Sequence, residues 1–472
     1  MLIVQTKKTL ITRKMKDAPH NILFIITDQQ RADALGCAGT PWIETPNLDA
    51  LAAQGVRFEG AYCSNPMCVP SRFSMMTGRY ASEAGIHADP ARPMEKRVIP
   101  EEILRDGLGH RMREAGYETV FAGKQHFPGK MTAEKIGFDV IEDDQRERLA
   151  LTTATWLRQR RDTEPEKPFF LVTSFINPHD ICLAGLKEFP QDDFEHTLVR
   201  VCQKDIAVLE QEGKLPPGMD EETFFDTICP PLPDNFEPQR DEPEAIDLEL
   251  TRRPFRRSCR EKWGEREWRL HRWAYANLVK RVDREIGLVL DGLKAGGLDD
   301  STTVVFVSDH GEMSASHRLE HKDVLYEENL KVPLIVRPAG ATETEARVIP
   351  ADSLVCTGLD LFPTFCDYAG IEPPQGLPGV SFRPIVDQSA EKVRETIPIE
   401  SEIGHAIIDP RFKLCRYFQG EPREQLFDLK EEPCEMTSVR DPAAFHEGRQ
   451  RLIAAYNSAD LWQSPEKQPA TT

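Results

Sequence analysis

The sequence has no Cys-x-x-Cys pair and no regular cysteine spacing, and its 11 cysteines are an odd number spread over 472 residues. That pattern excludes the disulfide framework of small secreted domains and offers no cysteine-built structural zinc site. No apolar run is long enough to cross a bilayer, which excludes a membrane-spanning helix. The first residues hold one apolar run, Leu2-Ile3-Val4, among Lys7, Lys8, Arg13, Lys14 and Lys16. It is too short for a signal-peptide core. Residues 1–19 therefore read as a disordered extension, with Met15 as an alternative start. The chain reads as cytoplasmic, or as periplasmic if a leader was trimmed from it. Positive charge is also short: 59 Lys and Arg face 78 Asp and Glu, a net charge of −19. This balance argues against nucleic acid and anionic membranes as partners, and any anionic ligand needs a local cationic pocket.

What is present, at 40% hydrophobic residues, suffices for one large core and a smaller domain. Apolar runs at Ile22–Ile26, Phe169–Phe175 and Val304–Val307 read as strands buried on both faces. Tyr117–Ala122 adds a strand, and Val56 with Phe58 a short one. Thr45-Pro46-Asn47-Leu48 opens a helix with Thr45 as cap, and Gly55 closes it. Residues 101–115 read as a helix with Ile103, Leu104, Leu108 and Met112 on one side. A long amphipathic helix runs from about Glu265 to Lys294, with Trp268 and Trp273 as core. This alternation predicts an α/β unit over residues 20–378. Residues 185–262 read as an insertion: Pro-rich, acidic from Asp234 to Glu249, then basic at Arg252, Arg253, Arg256, Arg257 and Arg260. A solvated excursion and a wall of a substrate pocket are equal readings of it. Phe412–Phe418, Leu426–Leu429 and a helix near Ala443–Tyr456 predict a small α+β unit over residues 379–472.

Cys68-Val69-Pro70-Ser71-Arg72 leads into Phe73-Ser74-Met75-Met76-Thr77-Gly78-Arg79. Pro70 and Ser71 suit a helix start and Gly78 its end. Cys68 then sits just before the N-terminus, where unpaired N–H groups and the dipole favour an anion or an ionised thiol. Arg72, one turn in, reaches the same anion. Plain packing of a short helix accounts for this stretch equally well on its own.

Polar groups follow the strands. Asp28-Gln29 ends the first, Gly123-Lys124-Gln125-His126 and Asn177-Pro178-His179-Asp180 end two more, and Ser308-Asp309-His310-Gly311-Glu312 ends a fourth, with Lys322 beyond. Ligands gather at such strand ends in open α/β sheets. Two carboxylates with an amide and an imidazole suit a hard divalent cation: Ca²⁺, Mg²⁺ or Mn²⁺. One such pair alone reads more readily as helix capping; two pairs flanking the Cys68 turn favour the metal. His317 and His321 have the spacing of a helical zinc pair, without a third ligand.

These motifs, in this order over residues 20 to about 440, resemble the sulfatase family of the alkaline phosphatase superfamily. Cys68-Val69-Pro70-Ser71-Arg72 with Thr77-Gly78-Arg79 resembles its C-x-P-S-R…T-G-R signature. Gly123-Lys124-Gln125-His126, Pro178-His179, Asp309-His310-Gly311-Glu312, and Leu426-Phe427-Asp428-Leu429 with Glu432-Pro433 resemble its later motifs. The resemblance implies an alkaline-phosphatase-like central mixed sheet flanked by helices, with a smaller C-terminal α+β domain. It implies that a maturation enzyme, reading Pro70 and Arg72, converts Cys68 into formylglycine. It implies one divalent cation, Ca²⁺ first with Mn²⁺ or Mg²⁺ as alternatives, held by Asp28, Gln29, the converted Cys68, Asp309 and His310. Gln29 stands where many relatives have a second Asp.

The implied reaction is hydrolysis of a sulfate ester, here of a sulfated carbohydrate, with the hydrated formylglycine as nucleophile. Arg72, Lys124, His179 and Lys322 would neutralise the sulfuryl oxygens. His179 or Lys322 would protonate the leaving alcohol, and His126 would take the proton that releases sulfate. The implied partners are a small-molecule or saccharide sulfate ester and the maturation enzyme, with no nucleic acid and no membrane. Asp-Gln with Asp-His also occurs in choline-sulfatase-like and phosphonate monoester hydrolase branches. A phosphonate monoester or phosphodiester hydrolase is therefore one alternative, and a non-catalytic binding protein with unconverted Cys68 another.

Overall fold

Ile22, Phe24 and Ile26 face one side of the first strand and Leu23 and Ile25 the other, and all five are buried. A strand that is apolar on both faces belongs in the middle of a sheet. The computed structural model, which describes residues 20–87, 98–163, 167–341, 346–439, 445–459 and 461, places it there. The extension expected over residues 1–19 lies outside the described residues.

The strands are β1 (Asn21–Asp28), β2 (Val56–Phe58), β3 (Ala61–Tyr62), β4 (Glu118–Gly123), β5 (Asp139–Glu142), β6 (Phe169–Pro178) and β7 (Thr302–Ser308). They continue as β8 (Leu334–Arg337), β9 (Arg347–Ile349), β10 (Val355–Cys356), β11 (Ile397–Glu400), β12 (Gly404–Ile408), β13 (Phe412–Tyr417) and β14 (Glu424–Asp428). Eight of them form one mixed sheet in the order β5-β4-β6-β1-β7-β8-β2-β9. β1 pairs parallel with β6 and β7, and β4 with β5 and β6; β8 runs antiparallel to β7 and β2. The C-terminal ends of β1, β4, β6 and β7 therefore share one edge.

Both faces are covered. The Glu265–Ala295 and Leu149–Thr163 helices lay Val282, Ile286, Val289, Leu149 and Leu157 on the Leu23/Ile25 face. On the other face Phe73 and Met76 of the Cys68–Thr77 helix and Phe362 and Phe365 of the Thr357–Ala369 helix meet Phe24, whose ring lies 4.9 Å from that of Phe365. β11 to β14 form an antiparallel four-stranded sheet, joined by the His446–Ser458 helix. The mixed sheet and the small C-terminal α+β sheet match the fold the sequence implied. None of the described helices is long and apolar enough to cross a membrane.

Three local expectations are corrected, and one open alternative is decided. Cys68 is the first residue of its helix rather than its flank, with Met67 as N-cap. Thr45 does not cap the helix Pro46–Ala52; instead Asp283, on the long helix, accepts from the N–H groups of Asn47 and Leu48 at 3.2 and 2.9 Å. Residues 101–115 form two helices, Glu101–Arg105 and Leu108–Glu114. They break at Gly107, where a Cβ would lie 2.7 Å from the Ile136 Cβ, so the turn at Ile136 packs into the break. The insertion is no solvated excursion: its Leu186, Ile206, Leu209 and Phe255 bury against Leu278 and Val279 of the long helix.

Candidate active site

The shared sheet edge gathers the polar groups. Asp28 ends β1, and Lys124 follows Gly123 at the end of β4. Gly123 has φ +94°, and a Cβ there would collide with the Ser174 carbonyl of β6. Only glycine lets the chain turn here with Lys124 directed at the neighbouring strand ends. Asp309 and His310 follow β7, and Gly311 lies where a Cβ would strike the Glu328 carbonyl. The helix starting at Cys68 brings Cys68 and Arg72 in from the opposite face.

Asp28, Cys68, Asp309 and His310 are all buried and offer one ligand atom each within 4.8 Å of one another. Around the Cys68 Sγ stand Lys322 Nζ at 2.6 Å, His310 Nε2 at 3.2 Å and Asp28 Oδ1 at 3.5 Å. Lys124 Nζ is 2.7 Å from Asp28 Oδ2. Arg72 donates from Nε to Asp309 Oδ2 at 2.7 Å, from Nη2 to Asp28 Oδ2 at 3.1 Å, and from Nη1 to Ser174 Oγ and the Lys124 carbonyl at 2.7 and 3.1 Å. Ser71 Oγ ties the same helix turn to the Asp309 carbonyl at 2.6 Å.

The residues present fit a divalent cation. The Gln29 side chain donates through Nε2 to Glu312, while its Oε1 is buried with no hydrogen-bond partner among the described residues. That leaves a buried acceptor oxygen on the residue next to Asp28, of the kind a hard cation takes. Glu312 is itself fixed by the N–H groups of Ser314 and His321 at 3.1 and 2.6 Å. His310 Nδ1 lies 2.9 Å from the Gly311 carbonyl, which makes Nδ1 the donor and leaves the Nε2 lone pair for the site.

Electrostatics follow from burial and neighbours. Burial opposes the ionised form of Asp28, but Lys124, His179, Lys322 and Arg72 hold its carboxyl well below the usual range. Burial and Asp28 push the Cys68 thiol up, yet Lys322, Lys124 and His310 bring it down to about 5. Burial disfavours charge on His310, but Asp309 and the Cys68 sulfur lift it to about 9. The negative donor set draws a proton onto this imidazole, which is the charge a bound cation would supply instead. Burial and Lys124 lower His179 to about 3.

His126, His179 and Lys322 line one cleft of about 700 Å³, walled by Met67 and by the insertion residues Phe194, Arg252, Arg253 and Phe255. The structure thus unites Asp28, Gln29, Cys68, Arg72, Lys124, His126, His179, Asp309, His310 and Lys322 in and beside one cleft. Two expectations change. Arg72 is turned to the carboxylates, not to a substrate oxyanion. The His317 and His321 pair is not helical: both residues have positive φ, 54° and 79°, and His317 stacks on Tyr326 at 3.9 Å. Of the pair, His321 lines the cleft. Ser174, Glu312 and Arg256 were not singled out as site residues. Arg256 donates to the Lys322 carbonyl at 3.3 Å and to Asp323 at 2.9 Å. Its signal was the basic run of the insertion, which does not say which arginine turns inward.

The fold is that of the alkaline phosphatase superfamily. Within it the chain belongs to the sulfatase family: the Sulfatase family model matches residues 20–371, and one for the C-terminal part of N-sulphoglucosamine sulphohydrolase matches residues 315–459. The chain is 26% identical over 445 residues to a Delta 4,5-hexuronate-2-O-sulfatase of Bacteroides thetaiotaomicron, covering 89% of this chain and 85% of that one. It is 26% identical over 488 residues to an arylsulfatase of Clostridium perfringens, covering 90% and 91%. A solved 2-O GAG sulfatase superposes with a TM-score of 0.74 at 25% identity, covering 93% and 92%. The protein is a sulfuric ester hydrolase.

Proposed function

We propose that this enzyme hydrolyses sulfate esters of carbohydrates, with formylglycine made from Cys68 as nucleophile and one divalent cation held by Asp28, Gln29, Asp309 and His310. The observation that carries the reading is the convergence of Lys322, His310 and Asp28 on the buried Cys68 Sγ at 2.6, 3.2 and 3.5 Å, at the start of a helix beside an open cleft. When present, the cation and the formylglycine supply a Lewis acid and an oxygen nucleophile of lowered pKa. Carboxylate and amide oxygens suit Ca²⁺, and the His310 nitrogen suits Mn²⁺ as well; elemental analysis of the purified protein distinguishes them. The partner this requires is a maturation enzyme reading Cys68, Pro70 and Arg72.

The chain's own residues divide the remaining work. Lys124 and Lys322 face the incoming sulfuryl group with positive charge in a desolvated site. Arg72 keeps the two carboxylates apart and oriented. His179 is neutral in the free site, so Lys322, the polar group nearest Sγ, is the favoured proton donor to the leaving alcohol. His126, which also lines the cleft, is the base for the release step. The division of the chain at residue 379 belongs to the proposal: Lys413 Nζ, on β13, bonds the Leu325 carbonyl at 2.8 Å and Glu327 at 3.1 Å, bracing the loop that carries Lys322. A saccharide substrate is supported by the hexuronate and GAG sulfatases among the relatives.

The test compares kcat/KM of matured protein on an aryl sulfate and an aryl phosphonate, followed by a panel of sulfated saccharides. Preference for the sulfate ester and turnover of a saccharide support the reading. Preference for the phosphonate transfers the activity to the phosphonate monoester hydrolase alternative.

A further inference from the structure

The cleft contains more charge than a single sulfate ester uses. Four cations line it: Lys322, Arg252, Arg253 and Arg256. Lys322 lies on the Cys68 sulfur. Arg256 is held by Asp323 at 2.9 Å, and Arg252 by Glu402 and Glu249 at 3.2 and 3.5 Å. Arg253 is half-buried, and its guanidinium makes no hydrogen bond and no close ion pair among the described residues. Glu195, Glu249 and Glu402 feel its charge at longer range, and Glu249 Oε1 and Oε2 and Glu402 Oε2 are buried with no hydrogen-bond partner among the described residues. Asp192 caps its own helix by accepting from the Glu195 N–H at 2.8 Å, and Glu195 accepts from the Gln191 N–H at 2.7 Å. Glu249 and Glu402 are those paired with Arg252.

A guanidinium that is half-buried in an open cleft, near carboxylates but hydrogen-bonded to none of them, keeps its N–H donors available to a ligand. Its planar fork matches an oxyanion bidentately. Arg253 follows the last turn of the helix Glu244–Arg252 and precedes Pro254 at the start of the next, so the backbone around it is constrained rather than free to swing away. Beside it Phe194, Leu198 and Phe255 give the same wall an apolar face against which a saccharide ring can lie.

We infer that Arg253 is a specificity residue that binds a second oxyanion of the substrate, a carboxylate or a further sulfate on the saccharide that carries the reacting ester. This rests on the sulfatase reading above and adds to it the charge class of the substrate: at least dianionic.

The test measures inhibition of aryl sulfate hydrolysis by matured, metal-loaded enzyme with two matched pairs. One pair is a monosulfated hexuronate and its methyl ester; the other is a disulfated and a monosulfated neutral hexose. In the wild type, the more anionic member of a pair should bind about tenfold to a hundredfold more tightly, as expected for one bidentate charge-assisted contact. Arg253→Ala should bring that ratio to near one, and Arg253→Lys, which keeps the charge but loses the fork, should retain part of it. A gain confined to the first pair assigns a carboxylate, and one confined to the second assigns a sulfate. Equal binding within both pairs in the wild type, or an unchanged ratio in Arg253→Ala, overturns the inference. Calorimetric titration with the same four compounds reads the ratio without turnover. Absence of aryl sulfate hydrolysis would count against the sulfatase reading, while the binding ratio still judges Arg253.

Discussion

Arg72 Nε lies 2.7 Å from Asp309 Oδ2, and the same guanidinium reaches Asp28, so one buried arginine joins the two carboxylates of the candidate metal site. Breaking a buried ion pair from one side leaves uncompensated charge, at a cost of about 3–5 kcal/mol. Arg72→Ala should therefore lower the Tm sharply in metal-free protein and less when a divalent cation is added. Scanning calorimetry with and without the cation checks this. An unchanged metal-free Tm would show that the carboxylates do not depend on Arg72.

Burial raises the other ten cysteines, Cys229 to about 11 and Cys37, Cys356, Cys366 and Cys415 to about 12; Cys68 alone is lowered, to about 5. In unmatured, metal-free protein the thiolate absorbance should show one step near pH 5, with the thiolate above it. Lys322→Met removes the nearest cation and should move that step upward, and in the matured enzyme it should lower kcat/KM by orders of magnitude. A step that stays in place places Lys322 outside the site.

Gln29 depends on Glu312 for its orientation, since its Nε2 donates to that carboxylate. Loss of an outer partner of this kind costs about 10–100-fold in metal affinity. Glu312→Ala should show that loss in a calorimetric metal titration, and Asp28→Ala or Asp309→Ala should abolish binding while the protein stays folded. Full metal content in both Asp variants would remove the site.

Glu320 is buried with neither carboxylate oxygen hydrogen-bonded among the described residues, and burial, with Glu312 and Asp323 nearby and Arg256 opposing, raises it to about 8. Its folded value exceeds its unfolded value. The protonated group therefore stabilises below about pH 4.5, and that contribution is lost as pH rises to about 8. Glu320→Gln removes this slope, so the variant should gain stability relative to wild type between pH 5 and pH 8, by about a few kcal/mol. Urea titrations at the two pH values decide it; an equal difference at both would mean that Glu320 titrates normally.

If Cys68 is matured, the peptide carrying it should have the mass of an aldehyde in place of CH₂–SH, react with hydrazides and resist iodoacetamide. Protein made without a maturation enzyme should be folded and nearly inactive. Full activity from an unmodified Cys68 thiol would overturn the nucleophile while leaving the fold and the metal site standing.

The linear chain determined where three strands buried on both faces lie and where a fourth, Tyr117–Ala122, runs, and that Asp28, Lys124, His179 and Asp309 come at the ends of these four. In a sheet of mostly parallel strands those ends meet on one edge, so the order of motifs was enough to assemble the site. The three-residue edge strand Arg347–Ile349 carries too few residues to show a period. The partners of individual side chains were decided only by the tertiary structure. Arg72 and Asp309 are 237 positions apart, Gln29 and Glu312 283, and Asp283 reaches a helix start 235 positions away. A local pattern specifies the direction of a backbone, not which distant carboxylate a guanidinium will meet. For the same reason one basic run yields Arg252 and Arg256 in ion pairs and Arg253 without one among the described residues: the difference lies in what the fold packs against each, not in the three residues themselves.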